Sequence, residues 1–415
     1  MNPTQFFTFN STTSRRVWLL STSSRQISSL LFMFILLTGC DVNPINEDTE
    51  TDAAQVEAIF QGRIDLNNLL NYENQPIPNY INNDNTGANN ITDMGATLGR
   101  VLFYDKQLSV DNTISCASCH QQANAFGDPV AGSQGVNGFT QRQSMRLVNA
   151  RFADEDDFFW DERANSLEAQ TTQPIQDHIE MGFSGINGNP DIDDLTTRLG
   201  SLGYYIELFS VTFGDPEVTE GRIQQALAPF IRSIQSFDSK YDIGRSQANN
   251  DNQTFANFTA QENLGKSLFN NNSQFQGDSG NRIGGGLGCE RCHRAPEFDI
   301  SPNSDNNGVI SSTSNSGQVD FDITRSPSLR DLFNTAGDLN TPLMHTGDFA
   351  TIDQVIDHYN DISTAGNNNL DNRLSRGGGV NLNITQNEGE ALVAFLKTLS
   401  GSAMYQDERW SDPFE

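Results

Sequence analysis

"SCASCH", residues 115–120, sets two cysteines three positions apart and follows the second at once with a histidine. The arrangement returns as "CERCH" at 289–293. Three chemistries use such a pair. A four-cysteine zinc ribbon would draw on both pairs, but those normally lie roughly 15–20 residues apart. Cys119 and Cys289 are separated by far more chain than that. A thioredoxin-like redox pair needs a βαβ setting and no histidine, and strand-like alternation is scarce around both pairs. The third chemistry is covalent haem attachment through C-x-x-C-H. Both thiols add to the haem vinyl groups, and the adjacent histidine is held beneath the iron. Cys116, Cys119 and His120, then Cys289, Cys292 and His293, therefore point to two covalent c-type haems.

The surroundings of the two clips match. "LGRVLF" (98–103) precedes the first and "LGKSLF" (264–269) the second, each apolar at helical spacing. After the histidines, "QQANAFGD" (121–128) and "RAPEFD" (294–299) each place a Phe before a nearby Asp. Helix, loop, clip and loop thus occur twice. The pattern predicts a mainly α fold of two tandem cytochrome c-like domains, each with one covalent haem, at 57–237 and 238–402, followed by a tail at 403–415. The amphipathic stretch 217–237 should close the first unit. "TAQE" (259–262) and "TQNE" (385–388) are capping boxes. The second opens "GEALVAFLKTLSG", a helix that Gly401 should stop. Asn/Ser/Gly-rich loops are expected over 270–288, 302–319 and 365–380, unusually long for a compact domain.

Residues 1–39 read as an export signal. Arg15, Arg16 and Arg25 precede the apolar run "LLFMFILL" (30–37), with no acidic residue in the segment. That run is too short to span a bilayer, which takes about 20 residues. "LTGC" (37–40) resembles a lipobox, which would make Cys40 the lipidated N-terminus and 40–56 an acidic tether. "SRRVWLL" (14–20) has a twin-arginine look, but that route carries folded proteins, whereas c-type haem is attached after export. The expected location is the periplasm, lipid-anchored to a membrane. With Cys40 removed, the other four of the five cysteines all lie in the clips. None remains for a structural disulfide.

Across 415 residues, 25 Lys and Arg face 53 Asp and Glu, a net charge of -28. Such a surface repels phosphates and excludes nucleic acid as a partner. A small cationic electron carrier suits it.

With two C-x-x-C-H motifs in tandem, the chain resembles the bacterial di-haem cytochrome c peroxidases and their relative MauG over about residues 91–400. Three further blocks carry the resemblance: "FFWDERANSLEAQTTQPIQDHIEMGF" (158–183), with Glu162 where the family has Gly, "RSPSLRDLF" (325–333), and "TPLMHTGDFATIDQVIDHYN" (341–360). It implies that peroxide reacts at the first haem, whose proximal ligand is His120, and that Trp160 lies between the haems to pass electrons. Gln170, Pro174 and Glu180 fall on the distal side of that first haem. Glu180 would move a proton between the peroxide oxygens, Gln170 would orient peroxide or water, and Pro174 would shape the pocket. His178 competes with Glu180 for the proton-transfer role. A solvated Glu180 and a core Trp160 are the plainer alternatives.

The chain also departs from the family pattern. Peroxidases carry a displaceable distal histidine shortly after the proximal one. Here that neighbourhood reads "GSQGVNGF" (132–139), and 121–177 contain no histidine. The first haem should therefore be open without prior reduction. For the second haem, held by His293, the resemblance puts Tyr359 where peroxidases use Met, as in MauG. A phenolate ligand would lower the potential of that haem. Met344 and His358 are competing ligands. Leu287 stands where MauG has the surface tryptophan used against its protein partner. A bridging calcium would draw on Gln143 and on carbonyls near Asn340 and Pro342.

The resemblance implies a di-haem peroxidase reducing hydrogen peroxide to water. Its electrons would come from a small periplasmic cytochrome c, a cupredoxin or a quinol, and pass from the second haem to the first. A MauG-like oxidase acting on a protein or organic substrate through a high-valent state is the alternative. A non-enzymatic di-haem electron carrier, with both irons saturated, is the third reading. A homodimer is compatible with the sequence, which does not fix the assembly.

Overall fold

The two "LG" blocks found in the sequence mark two helix crossings of the same construction. A computed structural model describes residues 55–154, 156–300, 304–311, 319–364 and 366–415. The leader, Cys40, nearly all of the tether and half of the 302–319 loop lie outside the described residues. The helices that position the sites are α1 (Asp93–Tyr104), α2 (Cys116–Cys119), α3 (Leu167–Thr171), α4 (Gln173–Gln176), α5 (Ile192–Gly200), α6 (Gly203–Phe213), α7 (Glu220–Ser233), α8 (Lys240–Arg245), α9 (Ala260–Asn270), α10 (Ile352–Asn360) and α11 (Gln386–Lys397). Strands among the described residues form three two-stranded antiparallel ribbons: β1 (Gln134–Gly135) with β2 (Gly138–Phe139), β3 (Ser273–Phe275) with β4 (Arg282–Gly285), and β5 (His293–Arg294) with β6 (Asp299–Ile300).

Helix α1 packs on α7, and α9 packs on α11. A Cβ on Gly99 would stand 2.1 Å from the Ala226 carbonyl oxygen and 2.7 Å from Phe230 Cβ. A Cβ on Gly265 would stand 1.9 Å from the Ala391 carbonyl oxygen and 2.8 Å from Phe395 Cβ. In both crossings the glycine meets an Ala and a Phe one helical turn apart, so the backbones approach more closely than any side chain allows. Each crossing sits in its own apolar cluster. The first runs from Val56 to Ile234, adds Met404 and Trp410, and includes Leu98, Val101, Leu102 and Leu227. The second spans Tyr241 to Leu399 and includes Leu268, Phe269, Leu392 and Phe395. Gly265→Ala should destabilise the haem-loaded protein by about 1–3 kcal/mol, the usual penalty of overpacking. Chemical denaturation measures this, and an unchanged midpoint would show slack in the crossing.

Both capping boxes form: Thr259 with Glu262 and Thr385 with Glu388. The expected helix 217–237 is shorter. Thr219 caps it by accepting from the Arg222 N–H, and it ends at Ser233, where Asn149 ties down the exiting chain through the Ile234 carbonyl and the Ser236 N–H. Gly401 does not stop α11, which already ends at Lys397. It instead allows close approach, since a Cβ there would lie 2.1 Å from Asp238 Oδ1 while its N–H donates to Asp331 Oδ1 at 2.9 Å. The 270–288 stretch, read as loop, contains the β3–β4 ribbon. The 403–415 segment, read as a tail, returns to the first cluster, where Trp410 is buried and donates to Ser233 Oγ at 3.1 Å. Tyr72 OH donates to the Arg409 carbonyl at 2.7 Å in the same region. No helix among the described residues is long and apolar enough to cross a membrane.

Candidate active site

The first clip is a single helical turn, α2. It is held by a capping box in which the Ser115 N–H donates to Ser118 Oγ at 3.0 Å. Cys116 and Cys119 are unbridged, and burial pushes both thiols up to about 12. His120 Nδ1 lies 2.9 Å from the Phe126 carbonyl oxygen. A carbonyl only accepts, so Nδ1 carries the proton and Nε2 keeps its lone pair for a metal. Burial lowers the His120 pKa and keeps the ring neutral, as ligation requires. The second clip repeats the device. His293 Nδ1 lies 3.1 Å from the Pro327 carbonyl oxygen, and burial pushes this ring down to about 4. Cys289 and Cys292 are likewise unbridged.

The Phe that follows each histidine has a structural role that sequence pattern did not show. Phe126 and Phe298 are both fully buried and both sit in the left-handed region, at φ 58° and 52°. A bulky residue there is strained. At Phe126 the strain turns the carbonyl toward His120.

Around His120 lies a cavity of about 710 Å3 whose walls include Gln170, Pro174, Glu180 and Trp160. A smaller one, of about 60 Å3, shares His120, Gln170, Pro174 and Glu180 and adds both thiols, Cys116 and Cys119. All four residues expected near the first haem thus meet on one cavity with its proximal histidine. Gln170 rides on α3, which Glu168 fastens to α7 through Arg232. Pro174 sits in the first turn of α4, where its fixed φ suits the helix start. Glu180 follows a turn in which Asp177 Oδ1 accepts from the N–H groups of Ile179, at 2.8 Å, and Glu180, at 3.0 Å. Burial first, and then the Asp177 charge, push the Glu180 carboxyl up to about 7, while Arg163 pulls the other way. His178 is not on this cavity. Its Nδ1 lies 3.2 Å from the Asn189 amide nitrogen, so it is a weak competitor for proton transfer.

The second cavity, of about 220 Å3, is lined by Cys289, Cys292, His293, Tyr359, Met344 and Leu287 among others. Two of the three candidate ligands, Tyr359 and Met344, reach it. His358 does not: its Nε2 lies 3.0 Å from the Asn307 carbonyl oxygen and its ring packs edge-on against Phe349. Burial pushes the Tyr359 phenol above its ordinary range, so without a metal it is neutral.

Trp160 lines both cavities and is only 8% exposed. Its indole N–H donates to the Gln143 carbonyl at 2.7 Å, and its own carbonyl accepts from the Arg325 N–H at 2.8 Å.

The donor set fits two haems. Four unbridged thiols stand beside two neutral, oriented histidines. Arg146, which lines both cavities, supplies a further observation. It donates to Thr341 Oγ1 at 3.1 Å and to the Ser328 carbonyl at 2.7 Å, but its Nε has no partner and it has no carboxylate in ion-pair reach among the described residues. Burial lowers its pKa to about 10, against the pull of Asp331. A haem propionate is an anion of the kind it lacks. Sequence reasoning missed Arg146, because a single arginine in "SMRLVN" (144–149) carries no spacing signal.

The calcium residues come together only in part. Gln143 and Pro342 both line the second cavity. Asn340 does not, and its amide donates to the Asp331 carbonyl at 2.8 Å and to Tyr405 OH at 2.7 Å. Among the described residues, no group of three or more His, Cys, Asp or Glu is arranged to hold a metal ion.

Comparison with known proteins identifies similar chains. The family described as di-haem cytochrome c peroxidase matches residues 93–250. The chain is 26% identical over 330 residues to the methylamine utilization protein MauG of Methylophilus methylotrophus, covering 76% of this chain and 85% of that protein. It is 29% identical over 324 residues to the cytochrome c551 peroxidase of Nitrosomonas europaea, covering 74% and 80%. Among solved structures, a MauG-like protein associated with microbial copper homeostasis aligns with a TM-score of 0.64 at 27% identity, over 82% of this chain and 99% of that one. The di-haem peroxidase BthA of Burkholderia thailandensis, at 21% identity and a TM-score of 0.55, shares the fold over 81% and 90%.

Proposed function

The chain belongs to the di-haem cytochrome c peroxidase family, which includes MauG, and on that premise we propose that it is a periplasmic peroxidase reducing hydrogen peroxide to water. One observation carries the reading: Gln170, Pro174 and Glu180 share a cavity with His120. When bound, haem supplies the iron at which the peroxide O–O bond is broken and, at the second site, a store for the electrons. His120 and His293 would hold the irons and the four clip cysteines would anchor the rings. Gln170 holds peroxide or water by its amide. Glu180 takes the proton from the inner peroxide oxygen and returns it to the outer one through its carboxylate. Pro174 narrows the cavity. Trp160 links the two sites, and electrons enter at the second from a small cationic carrier matched to the acidic surface. The mature protein is tethered to a membrane through Cys40. A bridging calcium would draw on Gln143 and on main-chain carbonyls near Asn340 and Pro342.

The test is to add hydrogen peroxide to the haem-loaded, signal-free, fully diferric protein and to follow its visible spectrum and its turnover with a reduced cytochrome. Rapid spectral change without prior reduction, together with fast donor oxidation, supports the reading. No spectral response would show that the first iron is blocked, and would overturn it. A pH series adds a second check. The base form of Glu180 must be the carboxylate, and burial holds its pKa at about 7. The peroxide rate should therefore be full above that pH and fall as pH drops through it.

A MauG-like oxidase is the second reading, favoured by Tyr359 on the second cavity. Spectral change with little donor oxidation would select it. Tyr359→Phe should alter the visible spectrum of the second haem and raise its reduction potential, whereas Met344→Leu should leave both unchanged. The reverse result would make Met344 the ligand.

A further inference from the structure

Besides Asp177, the β1–β2 ribbon holds the main chain at Glu180. The Val136 N–H donates to the Glu180 carbonyl at 3.0 Å, and the Asn137 N–H to the Ile179 carbonyl at 3.1 Å. The Asn137 side-chain amide donates to the His178 carbonyl at 2.7 Å. Three successive carbonyls, at 178, 179 and 180, are thus held by two adjacent residues of one ribbon. Gly135 makes this approach feasible. Its φ lies outside the left-handed region, so any L-residue could adopt its backbone. Only space excludes a side chain. A Cβ there would stand 2.1 Å from the Ile179 carbonyl oxygen, 2.8 Å from Glu180 Cα and 2.9 Å from the Glu180 carbonyl oxygen.

We propose that the 134–139 ribbon is a clamp that aims the Glu180 carboxylate into the first cavity, with Gly135 and Asn137 as its positioning residues. This rests on reading Glu180 as the proton carrier. Asn137 lines neither of the two cavities on which Glu180 stands, so it acts through the glutamate, whereas Gly135 also lines the 60 Å3 cavity, which makes Asn137 the cleaner probe. The charges acting on Glu180 come from elsewhere: Asp177 on its own turn and Arg163, with Arg142, Arg146, Asp161, Asp299, Asp320, Asp322 and Arg325 also on the cavity. His178, on the adjacent residue, is turned to Asn189. The ribbon itself, "QGVNGF", contains no titratable side chain. A change made in it can therefore alter the titration of Glu180 only by moving the group, never by adding or removing a charge.

The experiment uses the haem-loaded protein with Gly135→Ala and, separately, Asn137→Ala. Asn137 is exposed, so its variant folds whatever becomes of the first. Three readouts are taken: the rate of the peroxide-driven spectral change against pH, the resting haem spectra, and amide hydrogen exchange across 177–182. Misplacing a reacting group by about 1 Å can lower a rate 10²-fold. Gly135→Ala is accordingly expected to slow the reaction at high pH by about 10-fold or more, and Asn137→Ala by about 2- to 3-fold. In both, the acid limb should move from about 7 toward the ordinary carboxylate range as Glu180 becomes less buried, and exchange at 177–182 should rise while the resting spectra hold. A purely structural role would lower the amount of active protein and leave the limb in place. The clamp is overturned if Asn137→Ala keeps the parent limb, rate and exchange, even where Gly135→Ala is lost to misfolding. A parent protein with no acid limb at all would overturn the Glu180 reading first and the clamp with it.

Discussion

Glu180→Gln is expected to lower the peroxide rate by roughly 10²–10⁴-fold, the span that general acid–base groups usually contribute. Resting haem spectra and haem content should be unchanged. The glutamine keeps the shape of the side chain and its main-chain contacts to Asp177 and to the ribbon, but it cannot accept the proton. The acid limb near pH 7 should vanish with it, since the group that titrates there is gone. Stopped-flow mixing of peroxide with the diferric protein at several pH values measures both effects. A variant within about three-fold of the parent, with its limb intact, would pass the proton transfer to another group on the first cavity.

The largest effect on stability is expected at Arg330. This guanidinium is fully buried and stands 3.1 Å from Asp242 and 3.3 Å from Glu297 while donating to the Pro296 carbonyl at 2.8 Å. Arg330→Met preserves much of the volume and strands two buried carboxylates. Breaking a buried pair on one side typically destabilises by about 3–5 kcal/mol. The loss should depend on pH. Burial already pushes the Glu297 carboxyl up to about 7 with the arginine in place. A carboxyl whose folded pKa is raised contributes least to stability at high pH, and becomes better tolerated as pH falls and the group takes up a proton. Urea titrations at pH 8 and pH 5.5 should therefore show a larger loss for the variant at pH 8. An equal loss at both would mean that Glu297 stays charged across the range.

Much of the chemistry was legible in the sequence because it is written in short covalent spacings. Cysteine pairs three positions apart and followed by histidine are local by construction, and in the fold each of these histidines turns its Nδ1 to a main-chain carbonyl. The glycines of "LGRVLF" and "LGKSLF" were visible as a repeat, though their purpose, a close helix crossing with Ala226 and Ala391, needed coordinates. Gln170, Pro174 and Glu180 came by family resemblance, and the fold does bring them to one cavity. What escaped has a common physical cause. Arg146, the Phe126 and Phe298 strain, and the ribbon that holds residues 178–180 all depend on backbone carbonyls facing particular directions. Carbonyls are identical in every residue, so no pattern of residue types announces them. The 403–415 segment was misjudged for a related reason. Trp410 packs against residues hundreds of positions away, beyond the reach of any local periodicity.

The way Trp160 is secured bears on how such a protein tolerates genetic drift. Its two recorded hydrogen bonds both run to main-chain atoms, the Gln143 carbonyl and the Arg325 amide. Codon changes at 143 and 325 can replace either side chain without removing the partner atom. A side chain fastened in this manner inherits its geometry from the path of the chain and not from the identity of its neighbours. On the reading proposed above, in which Trp160 links two haems, the surrounding wall is then free to diversify while the indole stays where it was.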